Sequence, residues 1–284
     1  MRLFLLPVST RRALIYGQPL TKQVANKLSY TDRVTLKVAE TWSKWEEAEK
    51  GWKKSLVTWG NTVQQRIPYE EWGLKSIPPL NERRRIEETT QGKKIDLLFP
   101  GNAIKPDKVI AAVRKLATER QDLHRKRMWW SLIIAPFTAP IALIPVVPNI
   151  PFFYLAYRGW SHWRALSGSK HLQFLVENNL LNPIPSPEIE RVYEGAVATF
   201  GAKADLEKTT SSTASVEEIE EKDEKILLNL CDGKELAKIL NAPELVVEVE
   251  RAVTQISKKL KQEHALVEDG KKLESSKNKN KETK

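Results

Sequence analysis

The fold prediction depends on one stretch, Met128 to Tyr157, which reads MWWSLIIAPFTAPIALIPVVPNIPFFYLAY and contains no Asp, Glu, Lys, Arg or His. As one continuous helix it would reach roughly 45 Å, longer than the roughly 30 Å hydrocarbon core of a bilayer, whereas two full spans need about 20 residues each. Pro145, Pro148 and Pro151 lack N–H donors and prevent a regular helix in the middle. The stretch therefore predicts two short apolar helices that meet at a proline bend.

Basic and aromatic residues flank the apolar stretch at both ends. Tryptophan, tyrosine and long cationic side chains are typical of the boundary between lipid and water. A single span would put cations on both sides of the bilayer, against the usual bias, whereas a hairpin puts both flanks on one side. We predict lipid-headgroup contacts, for instance with cardiolipin, or a role in orientation alone, for Arg125, Lys126, Arg127, Trp129, Trp130, Arg158, Trp160, Trp163 and Arg164.

Three arrangements of the apolar stretch are compatible with its composition. It forms a hairpin or re-entrant loop, a single kinked span, or a helical core buried inside a soluble protein. The hairpin agrees best with the flanking charges and with the proline bend. The predicted fold class is therefore all-α, namely an integral membrane protein with one proline-broken helical hairpin plus amphipathic and C-terminal helices.

A second group of tryptophans follows a helical pattern near the amino terminus. Between Val38 and Val63, apolar residues recur in alternating steps of four and three, and most charged side chains fall off this stripe. The pattern predicts an amphipathic helix. Its indoles could bind a partner helix or lie at a lipid boundary, and packing on the protein's own core is an equal alternative. The candidate partner-helix residues are Trp42, Trp45, Trp52 and Trp59.

Changes of composition divide the chain into segments. The first acidic residue is Asp32, and the basic residues before it suit a mitochondrial import segment or, equally, a terminal strand or helix of the protein itself. Ser186, Pro187 and Glu188 form a helix-start signal. The predicted segments are a basic import-like terminus at 1–30, the Trp-rich amphipathic helix at 31–67, a linker at 68–105, the membrane hairpin with basic flanks at 106–182, a short helix at 183–201, a flexible linker at 202–225, a C-terminal helical module at 226–265 and a disordered tail at 266–284.

The charge balance favours anionic partners. Lys and Arg number 46 against 36 Asp and Glu, which gives a formal net charge of +10. An anionic lipid surface and nucleic acid both fit this charge, but basic residues are interspersed with acids and no RNA-binding motif is present, so nucleic acid is disfavoured. Cys231 is the only cysteine, and the sequence has no metal-ligand spacing, phosphate-binding glycine loop or nucleophile elbow. We expect no enzyme activity, no cofactor and no metal.

Two histidines, His162 and His171, lie on a basic, aromatic stretch just beyond the apolar residues. Histidine titrates near neutral pH, so we name both as candidate pH-sensing residues. The alternative is that each is an ordinary polar residue at a membrane interface.

Two stretches carry a family resemblance: residues 148–172, PNIPFFYLAYRGWSHWRALSGSKHL, and residues 1–12, MRLFLLPVSTRR. They resemble the fungal mitochondrial potassium/proton exchange-related family, and the similarity extends along most of the chain to about Leu260. The resemblance implies location in the mitochondrial inner membrane and a part in potassium/proton exchange. It implies no catalytic or ion-binding residue.

The chemistry of exchange favours an accessory role. A proton-coupled carrier needs a carboxylate or histidine within the membrane, and the apolar stretch has none. We therefore expect an accessory or regulatory subunit that serves potassium/proton exchange and matrix volume homeostasis. Its expected partners are membrane lipids, other inner-membrane proteins or a second copy of the chain. The alternative is a membrane-tethered adaptor for matrix ribosomes or RNA, or an assembly factor.

Overall fold

The computed structural model describes residues 1–18, 58, 62, 66–92, 94–143, 150–196 and 224–282. The chain divides into two compact units, the first built from Met1–Phe4, Ile15–Leu98 and Val113–Pro183 and the second from Leu5–Leu14, Phe99–Ala112 and Ile184–Lys284. The predicted partner helix with Trp42, Trp45, Trp52 and Trp59 lies outside the described residues, as does most of the predicted flexible linker at 202–225.

Four strands form a mixed β-sheet: β1 (Arg2–Pro7), β2 (Ala13–Gln18), β3 (Ile95–Phe99) and β4 (Leu181–Pro185). Their order in the sheet is β2-β1-β3-β4. β1 and β3 run parallel, with Leu3 opposite Leu97 and Phe4 opposite Leu98. Every residue of β1 after Arg2 is buried, which is typical of a strand covered on both faces. Such a strand shows no alternation of apolar and polar residues.

The labelled helices of the described ranges are α1 (Tyr69–Ser76), α2 (Glu82–Gln91), α3 (Pro106–Thr118), α4 (Gln121–Ile134), α5 (Ile150–Glu177), α6 (Asp232–Ile239) and α7 (Leu245–Glu282). Residues 187–196 are also helical. A 3₁₀ helix, Ala135–Leu143, continues directly from α4 and contains Pro136 and Pro140. Because proline lacks the N–H that an α-helix interior needs, the change of helix type follows from these two residues.

In the first unit, α1 and α4 both pack on α5. Gly159 allows the close approach of α4, since a Cβ atom there would lie 3.3 Å from Cδ2 of Leu132. Gly168 is required by α1, because a Cβ atom there would lie 2.0 Å from the backbone oxygen of Leu74. These two contacts fix α1 and α4 along α5 and so determine which polar side chains meet.

In the second unit, α6 packs against α7. Beside the turn that follows β1, Arg12 forms an ion pair with Glu224 at 3.2 Å, and Ser9 donates a hydrogen bond to the same carboxylate. α7 continues to Glu282, into the segment for which the composition predicted disorder. The buried residues that α6 and α7 contribute include Leu236, Leu245, Val249, Ala252 and Ile256.

Two parts of the predicted fold class are corrected. The protein is not all-α, because the described residues include the four-stranded sheet. The predicted integral membrane hairpin is also wrong, since no helix of the described ranges combines the length and the apolar composition that crossing a bilayer requires. α4 carries three consecutive cations and ends at Ile134, and α5 includes Arg158, Arg164 and Lys170. The strands are only five or six residues long, and apolar runs this short do not distinguish a strand from a helix by their period.

Candidate functional site

A cluster of buried polar side chains lies where α1, α4 and α5 meet in the first unit. This Glu71 cluster consists of Glu71 of α1, His124 of α4 and Arg158, Ser161 and His162 of α5. Positions 158, 161 and 162 are three and four residues apart, so the helical period places them on one face of α5. Glu71, His124, Ser161 and His162 are each at most 2% exposed. Buried groups of this kind need compensating hydrogen bonds and charges.

Glu71 is held by three neighbouring side chains. Arg158 donates from Nη1 to Oε1 at 2.9 Å and from Nη2 to Oε2 at 3.2 Å, the two-pronged geometry that suits a guanidinium and a carboxylate. Ser161 donates from Oγ to Oε1 at 2.6 Å. Lys75, one turn further along α1, lies 3.8 Å from Oε1 and donates to Ser161 Oγ at 3.0 Å. Both carboxylate oxygens are therefore occupied.

The charge of Glu71 is retained in spite of burial. Burial by itself would raise the pKa of this carboxyl, because it disfavours the charged form. The positive charges of Lys75 and Arg158, with the hydrogen bonds from Ser161 and Arg158, outweigh burial and hold the pKa of Glu71 below its ordinary value. At neutral pH one carboxylate therefore lies beside two cations, Lys75 and Arg158.

The hydrogen positions of the two histidines follow from Arg158. Its Nη2 lies 2.9 Å from Nε2 of His162, and a guanidinium only donates, so this nitrogen accepts and His162 carries its hydrogen on Nδ1. Nδ1 of His162 is 3.1 Å from Nδ1 of His124, which must then accept. His124 therefore carries its hydrogen on Nε2, and this buried N–H has no partner among the described residues.

Both histidines are neutral near neutral pH in this arrangement. Burial lowers the pKa of His124 and of His162 to about 4; the charge of Glu71 opposes this change, and the charge of Arg158 adds to it. Sensing of neutral pH through His162 would therefore require the cluster to open. The pH-sensing role of His162 stays a prediction.

The cluster contains the residue types that bind metal ions, but its positive side chains disfavour a bound cation. Glu71, His124 and His162 each offer one ligand atom, and these atoms lie within 4.8 Å of one another. A carboxylate and two imidazoles suit zinc or a similar divalent ion. However, Arg158 binds the carboxylate and His162, and Lys75 lies beside them, so a divalent cation would meet two positive charges. We therefore interpret the cluster as a network of charges and hydrogen bonds.

His171, the second candidate pH-sensing residue, has different neighbours. It is fully buried, with Nδ1 2.7 Å from the backbone oxygen of Pro78 and Nε2 3.0 Å from Oε2 of Glu88. Both ring nitrogens therefore lie within hydrogen-bonding distance of an oxygen. His171 thus joins α5 to α2 and to the segment after α1, and its pH-sensing role also stays a prediction.

The predicted lipid-contact residues separate into two groups. Arg158 belongs to the buried cluster, Trp160 and Arg164 are half-buried, and Trp163 is 37% exposed. Nη2 of Arg164 lies 3.4 Å from the backbone oxygen of Lys75. The second group is exposed along α4 and consists of Arg125, Lys126, Arg127, Trp129 and Trp130.

Large apolar side chains are exposed where α4 ends and α5 begins. Trp130, Phe137 and Phe153 are 64%, 78% and 65% exposed. Ile134 of α4 and Leu155 of α5 line one cleft, so these helix ends lie close together. Exposed groups of large apolar side chains mark interaction surfaces. We call this surface the apolar tip, and it comprises Trp129, Trp130, Leu132, Ile133, Ile134, Phe137 and Phe153.

The cleft between α4 and α5 is open and has a volume of about 290 Å³. It borders both the Glu71 cluster and the apolar tip. Its lining combines two cations and a histidine with large apolar side chains, including Arg127, Arg158 and His162 together with Trp130, Ile134 and Leu155. Such a lining can bind a molecule that is anionic at one end and apolar at the other.

Known proteins of two organisms resemble this chain. An uncharacterized protein of Schizosaccharomyces pombe is 27% identical over 191 residues, an alignment that covers 67% of this chain and 82% of the relative. An uncharacterized protein of Saccharomyces cerevisiae is 25% identical over 206 residues, and this alignment covers 64% of each chain. No solved structure matches.

The family is shown by a match to a described family model. A family model described as mitochondrial K+-H+ exchange-related matches residues 2–176, which include the whole Glu71 cluster, the cleft and the apolar tip. This match confirms the family that residues 1–12 and 148–172 predicted. The description links the family to the mitochondrion and to K+-H+ exchange, and the chain belongs to this mitochondrial K+-H+ exchange-related family.

Proposed function

We propose that this protein serves potassium/proton exchange at the mitochondrial inner membrane as an accessory or regulatory subunit, and so supports matrix volume homeostasis. It attaches to the membrane surface through the apolar tip, and partner proteins of the inner membrane bind beside it. The observation that carries the proposal is the exposed apolar tip directly after a run of cations on α4.

The tip and its cations have complementary roles at a lipid surface. Indole rings and large apolar side chains enter the boundary between headgroups and acyl chains. Arg125, Lys126 and Arg127 are exposed on the same helix, and each cation near an anionic leaflet contributes about 1 kcal/mol of binding. The combination supports attachment from one side of the membrane.

The Glu71 cluster supports an accessory role over that of a carrier. A carrier must release a proton from a group and bind a cation there in turn. Glu71 has both oxygens engaged and a lowered pKa, and the positive charges of Lys75 and Arg158 repel a second cation. The buried cluster is therefore poorly suited to exchange a proton for potassium.

Swelling of isolated mitochondria in potassium acetate tests the role in exchange. We expect potassium-driven swelling to be slower in mitochondria without the protein. Expression of the wild-type chain should restore the swelling rate. A tip variant with Trp129→Ser and Phe137→Ser should fail to restore exchange and should leave the membrane fraction. A control with Ile86→Ser and Leu230→Ser, which changes equally exposed apolar residues outside the tip, should behave as wild type.

Two outcomes would overturn the proposal. Normal potassium-driven swelling without the protein would remove the role in exchange. Potassium/proton flux in liposomes that contain the purified protein alone would replace the accessory role with that of a carrier.

A further inference from the structure

We infer that the cleft between α4 and α5 binds the phosphate headgroup of an anionic phospholipid whose acyl chains remain in the bilayer. The inference rests on the proposed membrane attachment and names the ligand that the attachment selects. Three observations carry it: the register of the lining residues, the excess of positive charge, and the size and polarity of the cleft.

The lining residues come from one face of each helix. On α4, Arg127, Ser131 and Ile134 are separated by four and three residues, so they form a continuous row. On α5, Tyr154, Arg158 and His162 are each four residues apart and form the facing row. The cleft is therefore built by the regular packing of two helices, and a cation from each helix lies in it.

Positive charge in and beside the cleft exceeds negative charge. Glu71 is the one carboxylate bound to Arg158 in the described structure, and it is shared with Lys75. Arg127 is exposed and has no acidic partner among the described residues. Arg127 and Arg158 line the same cleft together with His162. An anion bound in the cleft would balance this excess positive charge.

Arg158 retains donors for such an anion. Its contacts with Glu71 and His162 use one hydrogen of Nη1 and both of Nη2. The second Nη1 hydrogen and the Nε hydrogen have no partner among the described residues. Guanidinium groups bind phosphate with paired, charge-assisted hydrogen bonds. Arg158 is also held in place by Glu71, so it loses little side-chain entropy when it binds.

The size and the apolar lining favour a lipid over a free phosphate. At about 290 Å³ the cleft is just below the roughly 300–1,000 Å³ range of small-molecule sites. It can hold a headgroup but not two acyl chains. Trp130, Ile134 and Leu155 continue from the cleft to the apolar tip, where acyl chains would lie. A free phosphate would not use these residues.

Vesicle flotation with the full chain tests this site. Vesicles of phosphatidylcholine are compared with vesicles that also contain cardiolipin or phosphatidic acid. We expect Arg127→Gln to weaken binding to the anionic vesicles by about tenfold or more, as the loss of one charge-assisted hydrogen bond implies. Lys126→Gln is the matched control, an exposed cation on the same helix outside the cleft, and it should weaken binding only about fivefold.

Calorimetry in solution separates the possible sources of phosphate. We expect a short-chain phosphatidic acid to bind the wild-type chain and inorganic phosphate to bind much more weakly. Equal losses of vesicle binding for Arg127→Gln and Lys126→Gln would show a general charge effect and overturn the cleft as the site. Inorganic phosphate that binds as tightly as the short-chain lipid would overturn the assignment to lipid.

The same experiments distinguish a failure of the proposed membrane attachment from a failure of the cleft as a lipid site. If the wild-type chain does not float with any vesicle, attachment to the membrane is wrong. Binding of short-chain phosphatidic acid that still depends on Arg127 and not on Lys126 would then keep the cleft as a site for a soluble lipid phosphate. If short-chain phosphatidic acid does not bind either, both the membrane attachment and the lipid site in the cleft are wrong.

Discussion

His162 donates its Nδ1 hydrogen to Nδ1 of His124 across 3.1 Å in the interior of the first unit. Arg158 donates to the other nitrogen of His162. A second proton on His124 at Nδ1 would face the N–H of His162, and a second proton on His162 would face the guanidinium. The pair therefore resists proton uptake, in agreement with the lowered pKa of each ring.

This relationship predicts a loss of stability in mild acid. The pKa of each histidine is about 4 in the folded protein and 6.5 without the fold, so between these values the unfolded chain binds protons that the folded chain does not. The free energy of unfolding should therefore fall as pH drops from 7 toward 5, by up to about 1 kcal/mol per pH unit for each histidine. Urea denaturation at several pH values measures this slope.

Variants identify the source of the slope. His124→Asn keeps an acceptor opposite His162 and removes one titrating ring, so the slope should become shallower. His264→Gln removes an exposed histidine of α7 and should leave the slope unchanged. The pKa of Glu71 is lowered, so its own contribution is lost only below its ordinary value of 4.5 and does not affect this window. Equal slopes in all three proteins would contradict the neutral histidine pair.

Glu71→Gln should be strongly destabilising. Glu71 is 1% exposed and binds Arg158, so the substitution leaves a buried guanidinium and Lys75 without their carboxylate. Loss of one partner of a buried ion pair costs about 3–5 kcal/mol. The neighbouring Glu70→Gln is the matched control, since its ion pair with Arg120 is more exposed and should contribute about 1 kcal/mol or less. Denaturant titration that finds similar losses for both variants would refute the central role of Glu71.

Gly168→Ala should destabilise the packing of α1 on α5. Its Cβ would lie 2.0 Å from the backbone oxygen of Leu74, and a backbone atom cannot move aside as a side chain can. Overpacking of this kind costs about 1–3 kcal/mol, and we expect the upper part of that range. Gly195→Ala is the control, because no atom of the described residues beyond its chain neighbours and its own helix backbone lies within 4 Å of its Cβ position, and in a helix alanine should stabilise by about 0.5–1 kcal/mol. Thermal unfolding should lower Tm for the first variant and raise it for the second.

Tyr193→Phe should leave the protein as stable as before or more stable. The hydroxyl of Tyr193 is buried and has no partner among the described residues, and burial raises the pKa of this phenol well above its ordinary value. Removal of an unpaired buried hydroxyl relieves a cost of about 1–3 kcal/mol. The free energy of unfolding, measured in urea, should not decrease. A clear decrease would mean that the hydroxyl binds a group outside the described ranges.

Part of the first unit could be predicted from composition. The sequence predicted a bend at Pro145, Pro148 and Pro151, and the first two of these lie outside the described residues. α4 already ends at Ile134, before Pro136 and Pro140 of the 3₁₀ helix. The helix-start signal at Ser186 agrees with the helical residues 187–196. The helix start was predictable because the capping of a helix acts within one turn.

The Glu71 cluster could not be predicted in this way. Glu71 and Arg158 are 87 residues apart, and Glu71 lay in a stretch interpreted as linker. His162 was singled out by the chemistry of histidine, but its partner His124 was not, since the two belong to different helices. The one available signal was the small number of histidines in the chain. There are four, and two of them, His124 and His162, lie in this cluster.

The sequence by itself determined the family and the accumulation of tryptophan and cations beside the apolar stretch, because motifs and composition are properties of neighbouring residues. Only the tertiary structure decided that a sheet exists, that Arg158 binds a buried carboxylate, and that Trp129 and Trp130 stay exposed. Burial depends on which helices pack together, and here that packing depends on Gly159 and Gly168, where a missing Cβ lets α4 and α1 approach α5.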